Sequence, residues 1–428
     1  MTWADVPFQD LLSNVVDNRG KTCPTAEEGI PLIATNCIKN DSLFPSFEKV
    51  RFISQDTYDN WFRGHPMPED LLFVTKGSPG RTCWVENPVT YCIAQDMLAI
   101  RADKSIILPK YLLALLRSST VQQGIDNLHV GTLIPHFKKG DFDKLIIRIN
   151  KNKEIQEFIG DLYFKMSMKI HLNQQINQTL ESIAQTIFKS WFVDFDPVKA
   201  KMEGRKPEGM DAEIAALFPS ILAGSEIGMI PEGWEWKPLY ETAGYLNGAA
   251  FKAADFTGSG IPIVKIVELK KGLSKQTKYT ENAYDTKYRI DDGDILYSWS
   301  GSPETSLEVF KWFGGPGWLN QHIFKVSPNS DQDKYYVYNL LRHLKPTLVE
   351  IAKNKQTTGL GHVTVRDMKR MMIPTPNNDV FEAYAKVVGP LFDMGSNLML
   401  ENMSLKNLRD GLLPKLISGE IQIPTEET

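Results

Sequence analysis

Trp3 to Leu11 reads WADVPFQDL, and Trp234 to Thr242 reads WEWKPLYET, with Trp and Pro held at the same spacing. Working outward, Gly29-Ile30-Pro31-Leu32-Ile33 returns as Gly260-Ile261-Pro262-Ile263-Val264, and Asp70-Leu71-Leu72-Phe73 with Ser78-Pro79 returns as Asp294-Ile295-Leu296-Tyr297 with Ser302-Pro303. Lys139 to Ile147 (KGDFDKLII) then reappears as Arg366 to Ile373 (RDMKRMMI), and a long apolar-periodic stretch follows each copy. The order never changes, and the lag stays near 225 to 231 residues. A period of that size is a whole domain, not a solenoid unit of about 20 to 50 residues. The chain is therefore two copies of one module plus one helix, in tandem.

The 428 residues are enough for two or three domains with ordinary cores. A hydrophobic content of 42% and a charged content of 23% fit a soluble globular chain and exclude disordered and membrane classes. The start, MTWADVPFQD, lacks a basic and apolar leader, and no run approaches 18 apolar residues, so a cytoplasmic location is expected. Cys23, Cys37, Cys83 and Cys92 all fall in the first module without CxxC spacing, which predicts buried free thiols and no disulfide or zinc framework. The seven histidines are scattered as well, with no metal-ligand spacing. The net charge of −4 is uneven: sixteen cations face seventeen anions over residues 1–150, and nineteen face sixteen over 231–376. Any contact with phosphate must then come from local patches and not from a global field.

From Ile155, apolar residues recur mostly three or four apart through Ile159, Leu162, Met166, Ile170, Ile176, Leu180, Ile183, Ile187 and Trp191. The second copy gives Val380, Tyr384, Val387, Leu391, Met394, Leu398, Leu405, Leu408, Leu412 and Leu416. Each is the narrow stripe of a helix built to pack on another helix. At 1.5 Å per residue each helix should be about 60 Å long. One stripe cannot pack on itself, so an antiparallel pair is preferred, the other reading being helices laid on their own modules. The modules read as mixed α and β. Strand-like runs are Ile30 to Thr35, Leu71 to Thr75, Cys92 to Ile100, Ile261 to Val267, Asp294 to Ser298 and His322 to Val326, with helices at Tyr111 to Arg117 and Lys334 to Leu344. The expected fold class is α+β, without the βαβ rhythm of a dinucleotide-binding sheet. The expected division is a first module at 1–150, a long helix at 151–196, a central linker arm at 197–230, a second module at 231–376, a second long helix at 377–418 and a tail at 419–428.

Behind the first helix runs Glu181 to Asp211 (ESIAQTIFKSWFVDFDPVKAKMEGRKPEGMD), then Ala212 to Ser220 (AEIAALFPS) and Ile230-Pro231-Glu232-Gly233-Trp234. The second helix ends in Leu408 to Ile421 (LRDGLLPKLISGEI). The first stretch closely resembles the central conserved region of the specificity subunits of type I restriction-modification systems, and the second resembles that family's closing motif. With the repeat, the resemblance spans essentially the whole chain. It implies two target-recognition domains, each reading one half of a split DNA target, and an antiparallel helical pair that sets the unread spacer. It also implies two modification subunits that carry S-adenosylmethionine and methylate adenine, and restriction subunits that hydrolyse ATP and cut DNA with magnesium. No cofactor is expected on this chain. The modules share scaffold segments and differ elsewhere, so the two half-sites should differ. One departure stands out: Glu69-Asp70 replaces the Gly293-Asp294 of the second copy, so the turn entering that strand is expected to differ.

Lys265, Lys270, Lys271, Lys275 and Lys278 lie within fourteen residues, opposed only by Glu268, and can neutralise phosphates unless they form a solvated charged loop. Lys311 to Gln321 (KWFGGPGWLNQ) offers Asn320 and Gln321 on a turn-rich backbone, and Asn354 to His362 (NKQTTGLGH) offers Gln356 and Thr358, residue types that pair with base edges. In the first module Lys76-Gly77-Ser78-Pro79-Gly80-Arg81 is the best candidate, through Lys76, Ser78 and Arg81, with Lys138 and Lys139 next. Trp191, Phe192, Asp194, Phe195 and Asp196 are expected to dock the modification subunit, with Pro207 to Phe218 as an arm; the alternative is that Trp191 and Phe195 cap the helical pair. Asp255 with Glu268-Leu269-Lys270 is the nearest thing to a magnesium nuclease site, but it lacks a counterpart in the first module. With no NPPY-like segment and no GxxxxGK[ST] loop, a non-catalytic reader is expected. The other reading is a protein-binding scaffold, which salt would affect little, whereas DNA binding falls steeply with salt.

Overall fold

The structure is a computed structural model that describes residues 2–18, 22–128, 134–356 and 360–423. It is α+β, and the chain gathers into two compact units, Met1–Asn173 with Glu401–Thr428, and Gln174–Leu400. The division falls within both long helices, so each unit holds one module and one half of the helical pair.

In the first unit, Leu12–Val16, Met97–Ala102, Leu71–Val74 and Thr82–Trp84 form an antiparallel sheet in that order. A second sheet orders Arg51–Ile53, Ile30–Ile33 and Cys92–Ile93, the last pair parallel. The second unit repeats both. Its antiparallel sheet orders Ala243–Asn247, Ile323–Pro328, Ile295–Ser298 and Glu308–Lys311. Its other sheet orders Tyr279–Thr280, Ile261–Val264, Gly317–Leu319 and Arg289–Ile290, again with one parallel pair. Trp3–Pro7 pairs with Ile146–Asn150, and Glu235–Pro238 pairs with Met372–Thr375, so the repeated WxxxP segment is the strand that clasps the entry to each long helix.

Unbroken apolar runs are central strands: every residue of Leu71–Val74 and of Ile295–Ser298 is buried. Helices Pro109–Leu116 and Asp333–His343 stand where periodicity places them. Two expected strands are shorter than their sequence suggests. Cys92 to Ile100 is cut at Asp96, whose φ of 73° turns the chain from one sheet into the other. Ile261 to Val267 ends as a strand at Val264, because the Glu268 carboxylate accepts the Lys265 backbone N–H at 3.0 Å and starts the helix Ile266–Lys271. All four cysteines are buried free thiols, and burial pushes the Cys83 and Cys92 thiols up, away from reactivity at neutral pH.

The turn before the central strand is the same in both units, against expectation. Asp70 Oδ2 accepts Met67 N–H at 2.8 Å, and Asp294 Oδ2 accepts Asp291 N–H at 2.9 Å. Glu69 adopts φ 70° where Gly293 has 93°. Backbone hydrogen bonds thus hold Glu69 in a conformation that L residues avoid by about 1–2 kcal/mol. Glu69→Gly should raise stability by up to about 1 kcal/mol after the entropy that glycine loses on folding. Denaturant midpoints of the two chains test this, and an unchanged or lower midpoint would show the turn to be unstrained.

The long helices span Lys153–Phe192 and Asn378–Ser418, 40 and 41 residues. They are antiparallel within each unit. In the first, Ile159 and Tyr163 share a core with Leu413 and Leu416, Ser167 accepts from Arg409 at 3.2 Å, and Asn173 donates to Glu401 and Asn402 at 2.6 and 3.0 Å. In the second, Asn177 lies opposite Gly395, where an added Cβ would stand 2.5 Å from its Oδ1, and the Tyr384 hydroxyl reaches the Ala184 carbonyl at 3.5 Å. The buried seam departs from the stripe read from sequence. Ile176, Ile183, Met394 and Leu408 are 39–50% exposed, whereas Asn173 is fully buried. A stripe that mixes spacings of three, four and six drifts off one face of a 3.6-residue helix, and the positions left on the seam there are polar.

Candidate nucleic-acid interface

In the first unit the chain leaves the strand Leu71–Val74 at Thr75, whose N–H bonds Asp96 O at 2.9 Å and whose carbonyl accepts Phe137 N–H at 2.9 Å. Lys76 then forms a bridge with His136, and its Nζ lies 3.9 Å from Asp96 Oδ1. This pairing brings Lys76 beside Lys138 and Lys139, which follow His136 at the start of the short helix Lys139–Asp141. Lys76, Ser78 and Lys138 are exposed and Lys139 is partly so. Arg81 is not joined to them in the same way: its Nη1 donates to the Ile38 carbonyl at 2.9 Å and its Nε to Ser78 O at 3.4 Å, which makes it a brace between loops.

In the second unit the five lysines flank one short helix at both ends, and not a loop alone. Lys265 precedes it with Nζ 4.9 Å from the Phe256 ring, Lys270 and Lys271 form its last turn, and Lys275 and Lys278 follow, all four of these last exposed. Their one acidic neighbour in sequence is spent inside: Glu268 is 5% exposed and accepts from Lys265 N–H and from the Thr277 hydroxyl. Asp255 accepts Lys252 N–H at 2.6 Å to close a turn. Both carboxylates of the nuclease-like set therefore have structural work. Among the described residues no group of three or more His, Cys, Asp or Glu could hold a metal ion.

The Lys311–Gln321 stretch is not an open turn. Lys311, Trp312, Trp318, Leu319 and Asn320 are buried, because Glu308–Lys311 and Gly317–Leu319 are strands. Asn320 is 7% exposed, and Gln321 is half-buried with Nε2 3.4 Å from His322 Nε2. Gln356 is exposed beyond the helix Lys345–Lys353, and Thr358 lies outside the described residues.

Sequence reading missed a polar and aromatic group at the end of Ile295–Ser298. Trp299 donates from Nε1 to Asn247 Oδ1 at 3.0 Å, and its ring lies 6.0 Å from His322 and 6.5 Å from His362. His322, His362 and Asn247 are exposed. The three segments are far apart in sequence, and only their strand pairing assembles them. The available signal was the WSGS that follows the repeated Asp-Ile-Leu-Tyr.

The expected docking aromatics face inward. Trp191, Phe192 and Phe195 are 6%, 2% and 9% exposed and pack with Trp234, Tyr336 and Tyr384. Phe195, at φ 55°, sets its ring 5.6 Å from Trp234 edge to face. Asp194 bonds Lys189, and Asp196 is exposed in the first turn of Asp196–Met202. Pro207 to Phe218 does not stand off as an arm: Phe218 is buried against Trp191, and Lys201 Nζ donates to the carbonyls of Ala215 and Phe218. The capping alternative describes these aromatics, since burial leaves them no face for a partner. Among the described residues no helix is long and apolar enough to cross a membrane.

A family model described as type I restriction modification DNA specificity domain matches residues 11–182 and 231–388, once over each module. Among curated proteins, the chain is similar to the type I restriction enzyme HindI specificity subunit of Haemophilus influenzae, 28% identical over 82% of this chain and 86% of that one. It is also similar to the MjaIX specificity subunit of Methanocaldococcus jannaschii, 26% identical over 83% and 78%. Among solved structures, a type I restriction-modification S subunit from M. genitalium matches with a TM-score of 0.54 at 15% identity, covering 97% of this chain and 96% of that one, a likeness of fold.

Proposed function

Since the chain belongs to the family of type I restriction-modification DNA specificity domains, we propose that each of its two modules reads one half of a split, asymmetric DNA target. The chain is the DNA-recognition component of a type I complex and acts with other subunits of that system. The reading is carried by one observation: both units repeat the same four-stranded antiparallel sheet in one strand order beside a second sheet with one parallel pair, while the groups they present outside those sheets differ. Two copies of one reader with unlike surfaces suit two unlike half-sites.

The long helices are proposed to fix the unread spacer. Duplex DNA repeats about every 34 Å, so two readers of one groove face must be set about a turn apart or a multiple of it, which a rigid pair of helices provides and a flexible linker does not. The chain supplies recognition and no chemistry of its own. Two modification subunits would hold S-adenosylmethionine and methylate adenine, and restriction subunits would use ATP and magnesium to cut. A cytoplasmic location follows from that role. The lysines around Ile266–Lys271 and the pair Lys138 and Lys139 are proposed to hold phosphates, which position the duplex without reading it. Asp194 and Asp196 are the proposed docking groups that remain at the surface.

The test is to express the chain with its modification subunit and map N6-methyladenine across genomic DNA by single-molecule sequencing. One motif of two unlike half-sites with a constant gap is the expected result. Absence of any methylated motif, with the subunits associated, would favour a protein-binding scaffold.

A further inference from the structure

The strand pairing that assembles Trp299, His322 and His362 exists twice, and the two copies share their backbone but not their side chains. Trp299 N–H bonds His322 O at 3.3 Å, its carbonyl accepts Val363 N–H at 3.0 Å, and Ser300 pairs with His362. In the first unit the corresponding bonds are Thr75 N–H to Asp96 O and Phe137 N–H to Thr75 O, and Lys76 pairs with His136. Thr75 therefore answers to Trp299, Lys76 to Ser300, Asp96 to His322, and His136 to His362. One residue later on these strands the side chains are apolar and buried in both copies, Met97 and Ile323, Phe137 and Val363, and two residues before Thr75 and Trp299 stand the buried Phe73 and Tyr297.

A crossing kept only for packing would carry similar apolar groups in both units. This one keeps its hydrogen bonds and changes its outward chemistry. In the first unit it presents an ammonium, a carboxylate and an imidazole. In the second it presents an indole flanked by two imidazoles, with Asn247 orienting the indole and Gln321 alongside. The Lys76–Asp96 pair has side chains 44% and 40% exposed, so it is a weak, screened contact that either partner can leave for a base edge.

We propose that this repeated crossing is where each unit discriminates bases, with Lys76 and Asp96 selecting a G·C pair in one half-site and Gln321, His322, His362 and Trp299 selecting an A·T pair in the other. A lysine donates to guanine O6 and N7, and a carboxylate accepts from cytosine N4. The amide of Gln accepts from adenine N6 and donates to N7 on one base edge, and an apolar ring packs on the thymine methyl. This assignment rests on the two-reader function above. The lysine groups around it hold phosphate, and the crossing supplies the sequence.

The experiment uses the chain assembled with its modification subunit and two variants at exposed positions, Lys76→Gln and His362→Ala. Binding is measured to the parental duplex, found from the methylation map, and to duplexes changed at one pair at a time. Lys76→Gln is expected to lose about 10- to 100-fold discrimination at one G·C pair of one half-site, leaving the other half-site intact. His362→Ala is expected to do the same at one A·T pair of the opposite half-site. The unaffected half-site reports in each case that the complex is folded. Discrimination within twofold of the parent at every position, for both variants, would overturn the assignment. Absence of a split motif with the unaltered chain would instead overturn the two-reader function, and is seen before any variant is made.

Discussion

Phe192→Ala should cost the second unit about 3–5 kcal/mol, the range for emptying an aromatic site in a closed core. The ring is 2% exposed and sits between Tyr336 and Tyr384, with both centroids 4.9 Å away and edge to face, while Phe188 lies at 5.2 Å and Trp234 at 5.9 Å. Those neighbours come from both long helices, from the strand-entry segment and from the helix Asp333–His343, so no single element can move in to fill the space. Each edge-to-face pair adds about 0.5–1.5 kcal/mol beyond area burial. The loss is concentrated where the first helix ends, and the helix end should fray with it. Urea unfolding of the full chain followed by tryptophan fluorescence should show the transition that reports Trp191 and Trp234 moving to lower urea, with the other transition unchanged. A shift below about 1 kcal/mol would mean that the aromatic cluster is slack and that Phe192 is free to serve a partner after all.

Lys311→Met should stabilise the chain at neutral pH by about 1–3 kcal/mol, the opposite sign from most core substitutions. Lys311 is 8% exposed, with Nζ 4.3 Å from the Phe392 ring centroid and 5.5 Å from that of Tyr338, and 3.5 Å from the Phe392 carbonyl. The facing charges are Glu181, already bonded to Arg342 at 2.9 Å, Arg342 itself and Asp393. Burial outweighs them and pushes the ammonium from its ordinary 10.5 down to about 8. The unfolded chain therefore binds this proton more readily between about pH 8 and 10.5, and stability rises with pH across that window. Below pH 8 the full penalty is present, on the order of 3 kcal/mol at 1.36 kcal/mol per pH unit. Methionine keeps the volume and the contacts with the rings while removing the charge. Denaturation midpoints at pH 7 and pH 10 should converge for Lys311→Met and differ for the unaltered chain. A flat profile between pH 8 and 10 in the unaltered chain would refute the buried ammonium.

How legible the molecule was depends on how far each feature reaches along the chain. The paired segments around Trp3 and Trp234 were enough to establish a tandem repeat, because each copy must rebuild the same clasp, Trp3–Pro7 on Ile146–Asn150 and Glu235–Pro238 on Met372–Thr375. Helices of 40 and 41 residues were visible because their hydrogen bonds are local and their apolar residues recur mostly three or four apart. Lysine clusters were visible for the same reason, as neighbours in sequence.

Other features answer to groups tens or hundreds of residues away. The side chain of Glu69 gives no sign of a left-handed turn; its φ of 70° is imposed by backbone bonds to Val85 and by the Asp70 cap at Met67. The run Ile261 to Val267 reads as a strand, yet the internal charge of Glu268 and the Thr277 hydroxyl make its second half a helix. Lys311 and Asn320 read as loop groups, and the sheet pairings of Glu308–Lys311 and Gly317–Leu319 bury them. The seam of the long helices has polar Asn173 where periodicity offers Ile176, because a partner helix selects one face and the stripe alone spans two. Lys76 meets His136 and Ser300 meets His362 across some sixty residues each. Local periods and repeats are written in sequence because nearest neighbours create them; strand register is decided only on folding, when distant backbone donors and acceptors must find partners. At this crossing that register is what turns scattered lysine, aspartate, histidine and tryptophan residues into two different faces on one scaffold.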